Sequence, residues 1–166
     1  MSESLDSVNQ WSLSTAWNVS TMSHVQNYRV ATQDSLPAEV FFKPDGTVMY
    51  VAWQASGSVL AYTLSTAWDI STASYSTSFS LSGQIISITG LFFKDDGTKM
   101  YTIGYSSRDI NEYDLSTAWD ISTASFVQEF DLPNSPMSAV FNDDGTKLFE
   151  VSYSTDKIYT YTLGPQ

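Results

Sequence analysis

Residues 91–132 read LFFKDDGTKMYTIGYSSRDINEYDLSTAWDISTASFVQEFDL, and this stretch, begun three residues earlier at Ile88, spans one structural unit. Apolar and polar residues alternate with turn residues between the runs, which divides it into four short strands. Strand a is predicted over Ile88–Lys94, b over Lys99–Tyr105, c over Ile110–Ser116 and d over Ser125–Leu132. Asp95-Asp96-Gly97 joins a to b as a tight hairpin, in which the glycine supplies positive φ and the preceding Asp bonds its own backbone. The c to d link, LSTAWDISTAS, carries two Ser-Thr pairs whose hydroxyls can cap turns. It is long for a hairpin, and its tryptophan is expected to pin a shaped outer loop.

The same unit recurs along the chain. LSTAW occurs at 13–17, 64–68 and 115–119, a spacing of 51 each time. Between these copies lie FFKPDGT at 41–47, FFKDDGT at 92–98 and FNDDGT at 141–146, whose glycines Gly46, Gly97 and Gly145 are 51 and 48 apart. A period near 50 matches a four-stranded propeller blade. Phe42, Phe93 and Phe141 share one position in the unit, and Tyr50, Tyr101 and Phe149 another; both read as core aromatics. The fold class is therefore all-β, a β-propeller with three blades per chain. One repeat domain covers 1–166: N-terminal c and d strands at 8–31, blade 1 at 36–81, blade 2 at 87–132, and blade 3 at 136–163 completed by an N-terminal strand. The third blade lacks a d strand of its own, and three blades fall short of the usual four to eight. Two chains closing a six-bladed ring is the expected partner arrangement, with a nine-bladed trimer as its rival. In that closure strand 8–13 is redundant and is expected to be displaced, loosely attached or competing for the same slot.

Composition narrows the function classes. Seven Lys plus Arg against 18 Asp plus Glu give a formal charge of -11, the wrong sign for a phosphate backbone, so nucleic acid is not expected as a partner. Hydrophobic residues at 42% and aromatics at 14% provide enough apolar surface to fold. Zero Cys removes disulfides, thiolate metal sites and Cys nucleophiles, and leaves the redox compartment open. The first ten residues lack the pattern of a secretory signal and no run approaches a membrane span, so a soluble protein without membrane insertion is expected.

VFFKPDGTVMYVA at 40–52 and LFFKDDGTKMYTIG at 91–104 resemble the a-b hairpin of YVTN/lactonase-like and TolB-like propeller repeats. The unit ending YDLSTAWDISTAS at 113–125 resembles repeats of bacteriophage structural proteins. The first resemblance implies a propeller. The second implies a virion or host-contact role, with a virion or extracellular location. Lactonase-like enzymes carry acidic or His metal ligands at the channel mouth, and no matching constellation is found in this sequence.

The residues themselves offer little chemistry. His24 is the single histidine and aligns with Tyr75 and Phe126, so it reads as a substituted aromatic position on an outer strand. Asp95-Asp96 and Asp143-Asp144 lack the spaced oxygen ligands of a calcium loop and read as turns. Glu39 stands on an innermost strand where the other units have Gly90 and Ser138, and a carboxylate there can face the channel. Trp53, Tyr105 and Tyr153 fall near one level of the b to c loops and suit carbohydrate or protein contact. Together with Glu39 they form the candidate ligand-binding set; no catalytic residue, metal or cofactor is expected. The leading expectation is a non-enzymatic structural or surface-recognition module meeting a cell-surface protein or glycan. The alternatives are a lectin-like propeller and a lactonase or hydrolase-type enzyme at the channel mouth using Glu39.

Overall fold

Asp45, Asp96 and Asp144 sit in three hairpin tips and act alike. Each carboxylate accepts the backbone N–H of a threonine two residues on, Thr47, Thr98 or Thr146, at 2.9–3.0 Å, and that threonine's hydroxyl as well. The glycine between them has φ of 73°, 73° or 69°, which favours glycine sterically. These are Asx-type turns, as the sequence implied, and their carboxylates are occupied in holding backbone.

The computed structural model describes residues 6–30, 36–54, 56–81, 83–85 and 87–162. Ala31 and Leu163, placed by the sequence at strand ends, lie outside the described residues. Strands β1 (Ser7–Leu13) and β2 (Met22–Arg29) form a hairpin. A four-stranded antiparallel sheet follows from β3 (Pro37–Phe42), β4 (Val48–Trp53), β5 (Ser58–Leu64) and β6 (Ala73–Ser80). A second is built from β7 (Ile88–Phe93), β8 (Lys99–Gly104), β9 (Asp109–Leu115) and β10 (Ala124–Asp131). The last sheet, β11 (Pro136–Phe141), β12 (Lys147–Ser152) and β13 (Lys157–Thr162), has three strands among the described residues. Strand β7 lies beside both β3 and β11, and the three form the inner side of the array. Each carries a one-residue bulge near its start, at Ala38, Thr89 and Met137, which lets the strand bend where the inner side is crowded. Among the described residues no helix is long and apolar enough to cross a membrane.

The long links fold as expected from their Ser-Thr pairs. Asn18, Asp69 and Asp120 cap short 3₁₀ turns, Val19–Thr21, Ile70–Thr72 and Ile121–Thr123, by accepting from the N–H of Ser20, Ser71 and Ser122. The N–H of Trp68 donates to the Gly46 carbonyl and that of Trp119 to the Gly97 carbonyl, both at 2.9 Å. Their indoles lie across those glycines, so two of the three tryptophans pin their loops. Trp17 does not: it is 98% exposed, and its loop covers no glycine turn among the described residues.

Packing between sheets supplies the core. Tyr50, Ala52 and Val59 of the first sheet meet Leu91, Met100 and Ile121 of the second, with Phe41, Phe93 and Trp119 in the same aromatic cluster. Burying side chains of this size contributes roughly 2 kcal/mol each. The β1–β2 hairpin packs on the other face of the first sheet, setting Val8, Tyr28 and Val30 against Met49, Val51 and Tyr62. Within one chain strand β1 is firmly attached, whereas the expected displacement or competition concerns the closed ring. The strand pairs with β2 from Ser7 to Leu13, and Gln10 donates to the Trp68 carbonyl and accepts from the Ile70 N–H. The second and third sheets share a smaller core of Ile103, Ile110, Leu132 and Leu148, beside a cavity of about 720 Å³.

Candidate functional site at the inner strands

The bulged inner strand β3 carries Glu39 beside a cleft of about 280 Å³ lined by Ser7, Asn9, Pro37 and Val40 among others. The carboxylate is exposed and accepts the N–H of Val40 at 3.2 Å. Gly90 and Ser138 hold the equivalent places on β7 and β11, so Glu39 is the one carboxylate at this level of the described inner strands. A Cβ at Gly90 would press on Ile103, which accounts for the small residue there.

The aromatic level divides. Tyr105 and Tyr153 come together edge to face, with ring centroids 5.8 Å apart, and Tyr153 is 64% exposed. Trp53 is different: it is fully buried among Val51, Leu60 and Tyr62, and cannot offer a ring face to a ligand. One residue of register separates it from the tyrosines, and along a strand one residue turns a side chain to the opposite face. His24 is exposed on β2 and stacks edge to face on Trp11 at 4.9 Å, an aromatic role as anticipated.

Three acids are buried among the described residues, Asp109, Glu112 and Glu150, and the first and last of them are the most enclosed. Asp109, at the start of β9, is 4% exposed, and burial pushes its carboxyl up, with Ser107 donating to it at 2.9 Å and Glu129 and Asp131 adding like charge. Any Cβ on Gly104 would overlap both Ser107 and Asp109. Glu150, on β12, is fully buried and accepts the Tyr161 hydroxyl at 2.7 Å. Neither position is acidic in the other units, so the repeat gives no signal for them. Among the described residues no three His, Cys, Asp or Glu side chains converge to hold a metal ion, so these residues do not fit one.

The architecture is that of a β-propeller, and solved structures agree. A putative 6-phosphogluconolactonase from Bacteroides uniformis superposes with a TM-score of 0.71 at 15% identity, covering 96% of this chain and 45% of its own. A putative 6-phosphogluconolactonase from Bacteroides fragilis gives 0.69 at 14% identity, covering 95% and 44%. The periplasmic gluconolactonase of Pseudomonas aeruginosa gives 0.61 at 16% identity, covering 78% and 36%. The chain thus spans less than half the length of these proteins. No protein-family model and no curated relative matches the sequence. The lactonase-like side of the expected resemblance holds at the level of fold. The expectation of a non-enzymatic structural or recognition module is overturned, and with it the expected absence of catalysis: these neighbours are named for lactone-cleaving enzymes.

Proposed function

We propose that the protein is a lactonase-type hydrolase that opens the cyclic ester of a sugar lactone at the inner strands, with Glu39 as its acid-base group. The likeness to gluconolactonase and 6-phosphogluconolactonase folds carries this reading. Water adds to the lactone carbonyl carbon, the ring C–O bond breaks, and a hydroxy acid results. Glu39 takes the proton from the attacking water and returns it to the leaving ring oxygen, a role worth about 10²–10⁴ in rate. Its exposure gives substrate access, and the bulge at Ala38 sets its direction. In this reading the LSTAW loops serve as scaffold. Two copies joined in one six-bladed ring would bring two Glu39 side chains to a single channel.

Proton release from gluconolactone and 6-phosphogluconolactone, followed in weak buffer, tests the proposal. The full chain should accelerate ring opening above the spontaneous rate, and Glu39→Gln should remove most of that acceleration. Ring opening at the buffer rate with the wild-type chain would overturn it.

A further inference from the structure

Three features of the molecule fit one another although they lie far apart in it. The first is the cavity of about 720 Å³ between the second and third sheets, walled by Phe92, Tyr101, Phe141, Glu112, Gln128 and Gly145. The second is the turn at the tip of the β1–β2 hairpin, where Trp17 is 98% and Val19 75% exposed. The third is the open outer face of the third sheet, with Val151 48% and Ile158 70% exposed.

The interface between the first and second sheets shows what occupies such a cavity. There Trp119 lies over Gly97, its ring 5.6 Å from Phe93 and 6.4 Å from Phe41, and its carbonyl accepts the Tyr50 hydroxyl at 2.5 Å. Ile121, two residues on, is fully buried. One interface further, Phe92, Tyr101 and Phe141 repeat the positions of Phe41, Tyr50 and Phe93, and make the same aromatic cluster at 4.9–5.3 Å. Among the described residues nothing lies within 4 Å of a Cβ on Gly145, where the tryptophan should rest. Trp17 and Val19 are the counterparts of Trp119 and Ile121.

We propose that the Trp17–Val19 turn of a second copy of this chain seats in that cavity, with Trp17 over Gly145. The chain's own hairpin is held elsewhere, by Gln10 and Gln26, against the turn after β5 on the far side of the first sheet. The same docking covers the other open surfaces. The second copy's third sheet would lie beside β1–β2 of the first, and Ile158 would pack as its counterpart Val8 does, against Met49 and Val51. Strands β1 and β13 are the two claimants to the place beside β2, and the turn reaches the same seat whichever holds it. Such a head-to-tail contact closes into a ring when its rotation allows.

Charge complementarity picks out this turn. At the hairpin, the neutral pair Gln10 and Gln26 receives the Asp69 turn: the Ile70 N–H donates to Gln10 and Gln26 donates to Asp69. In the cavity the corresponding places are Glu112 and Gln128, joined at 2.9 Å, and because one Lys99 is shared between Glu112 and Asp114 the receiving wall keeps a net negative charge. The Trp17 turn is capped by Asn18, where the other two carry Asp69 and Asp120. A neutral cap is the one that can approach Glu112 without two carboxylates meeting.

Light scattering at tens of micromolar should give twice the 18.4 kDa subunit mass for the wild-type chain; three times that mass would keep the seat and change the blade count. Trp17→Ala should return the subunit mass with an unchanged circular dichroism spectrum, because the ring is exposed in the single copy. Asn18→Asp should weaken assembly at least tenfold, and adding Glu112→Gln should restore it by recreating the Gln10–Asp69 pairing. As the chain lacks cysteine, Ala16→Cys with Asp143→Cys should give covalent multimers with a short thiol cross-linker. A wild-type chain at the subunit mass, a Trp17→Ala variant that assembles unchanged, or an Asn18→Asp variant equal to wild type would overturn the proposal. None of these readings depends on lactone hydrolysis.

Discussion

The indole of Trp68 occupies the space that a methyl group on Gly46 would need: an ideal Cβ there falls 2.3–2.5 Å from three of its ring atoms. Glycine is thus required twice at this turn, for its φ of 73° and for the approach of the ring. Gly145 has a similar backbone, but no described residue lies above it. Gly46→Ala is expected to cost about 2–4 kcal/mol, from left-handed strain and overpacking together. Gly145→Ala should cost only the strain, about 1 kcal/mol in the single copy. Urea midpoints compare the two; equal losses would mean that the indole yields freely.

The three tryptophans of the outer turns should rank by what they cover. Trp119 is half-buried, Trp68 is 53% exposed and Trp17 is 98% exposed. Replacement by alanine is expected to cost about 3 kcal/mol at Trp119, roughly half that at Trp68, and almost nothing at Trp17 in the unassembled subunit. Thermal melts at low protein concentration provide the order, and a Trp17 variant as damaged as the Trp119 variant would contradict it.

Asp109 should oppose stability at neutral pH. Burial raises its folded value above the unfolded one, so its favourable contribution is complete below the unfolded value near 4 and is lost as pH rises through the folded value. Asp109→Asn keeps an oxygen for the Ser107 hydroxyl and removes the buried charge. The variant should melt higher than wild type at pH 7, with the difference shrinking toward pH 4. A lower melting point at pH 7 would show that the ionised acid is doing structural service.

The turn carboxylates should act in the opposite sense. The Lys43 partner, with Thr47, holds Asp45 down to about 2, while Lys94 and Thr98 lower Asp96, and the Thr146 hydroxyl and N–H lower Asp144. A depressed value contributes stability above the unfolded value near 4 that disappears as pH falls through the folded one. Unfolding midpoints should therefore decline between pH 4 and pH 2. Asp45→Asn with Asp96→Asn should flatten that decline; an unaltered slope would place the acid sensitivity elsewhere.

Much of the architecture could be read before any coordinates, because the repeat makes each unit a witness to the others. The DG turns, the Ser-Thr caps and the order of strands all follow from local residue chemistry, and the structure places them within a residue or two. What repetition cannot show is the individual residue. Trp53 looked like a partner of Tyr105 and Tyr153, yet a single step of register turned it into the core. Asp109 and Glu150 have no acidic counterparts, and their burial depends on the neighbouring sheet. Trp17 carries the same five-residue signature as Trp68 and Trp119, but it has no glycine beneath it. Tertiary surroundings, invisible in the strand pattern, decide all four.

The capped 3₁₀ turns also bear on how the chain finds its shape. Asp120 and Thr123 satisfy their turn with residues at most six positions away, and the Trp119 N–H donates to Gly97 in the same unit. Each sheet can close early from short-range contacts, and the slower event is stacking one finished sheet on the next. With three nearly identical units, stacking in the wrong sequence is the hazard of such a chain. Departures from perfect repetition bear on it: Gln10, Ala61 and Glu112 are unlike residues at one position of the unit, and Asn18 differs from Asp69 and Asp120. These few unlike residues act as address labels, written where neighbouring units meet, and they give an otherwise monotonous chain a direction in which to assemble.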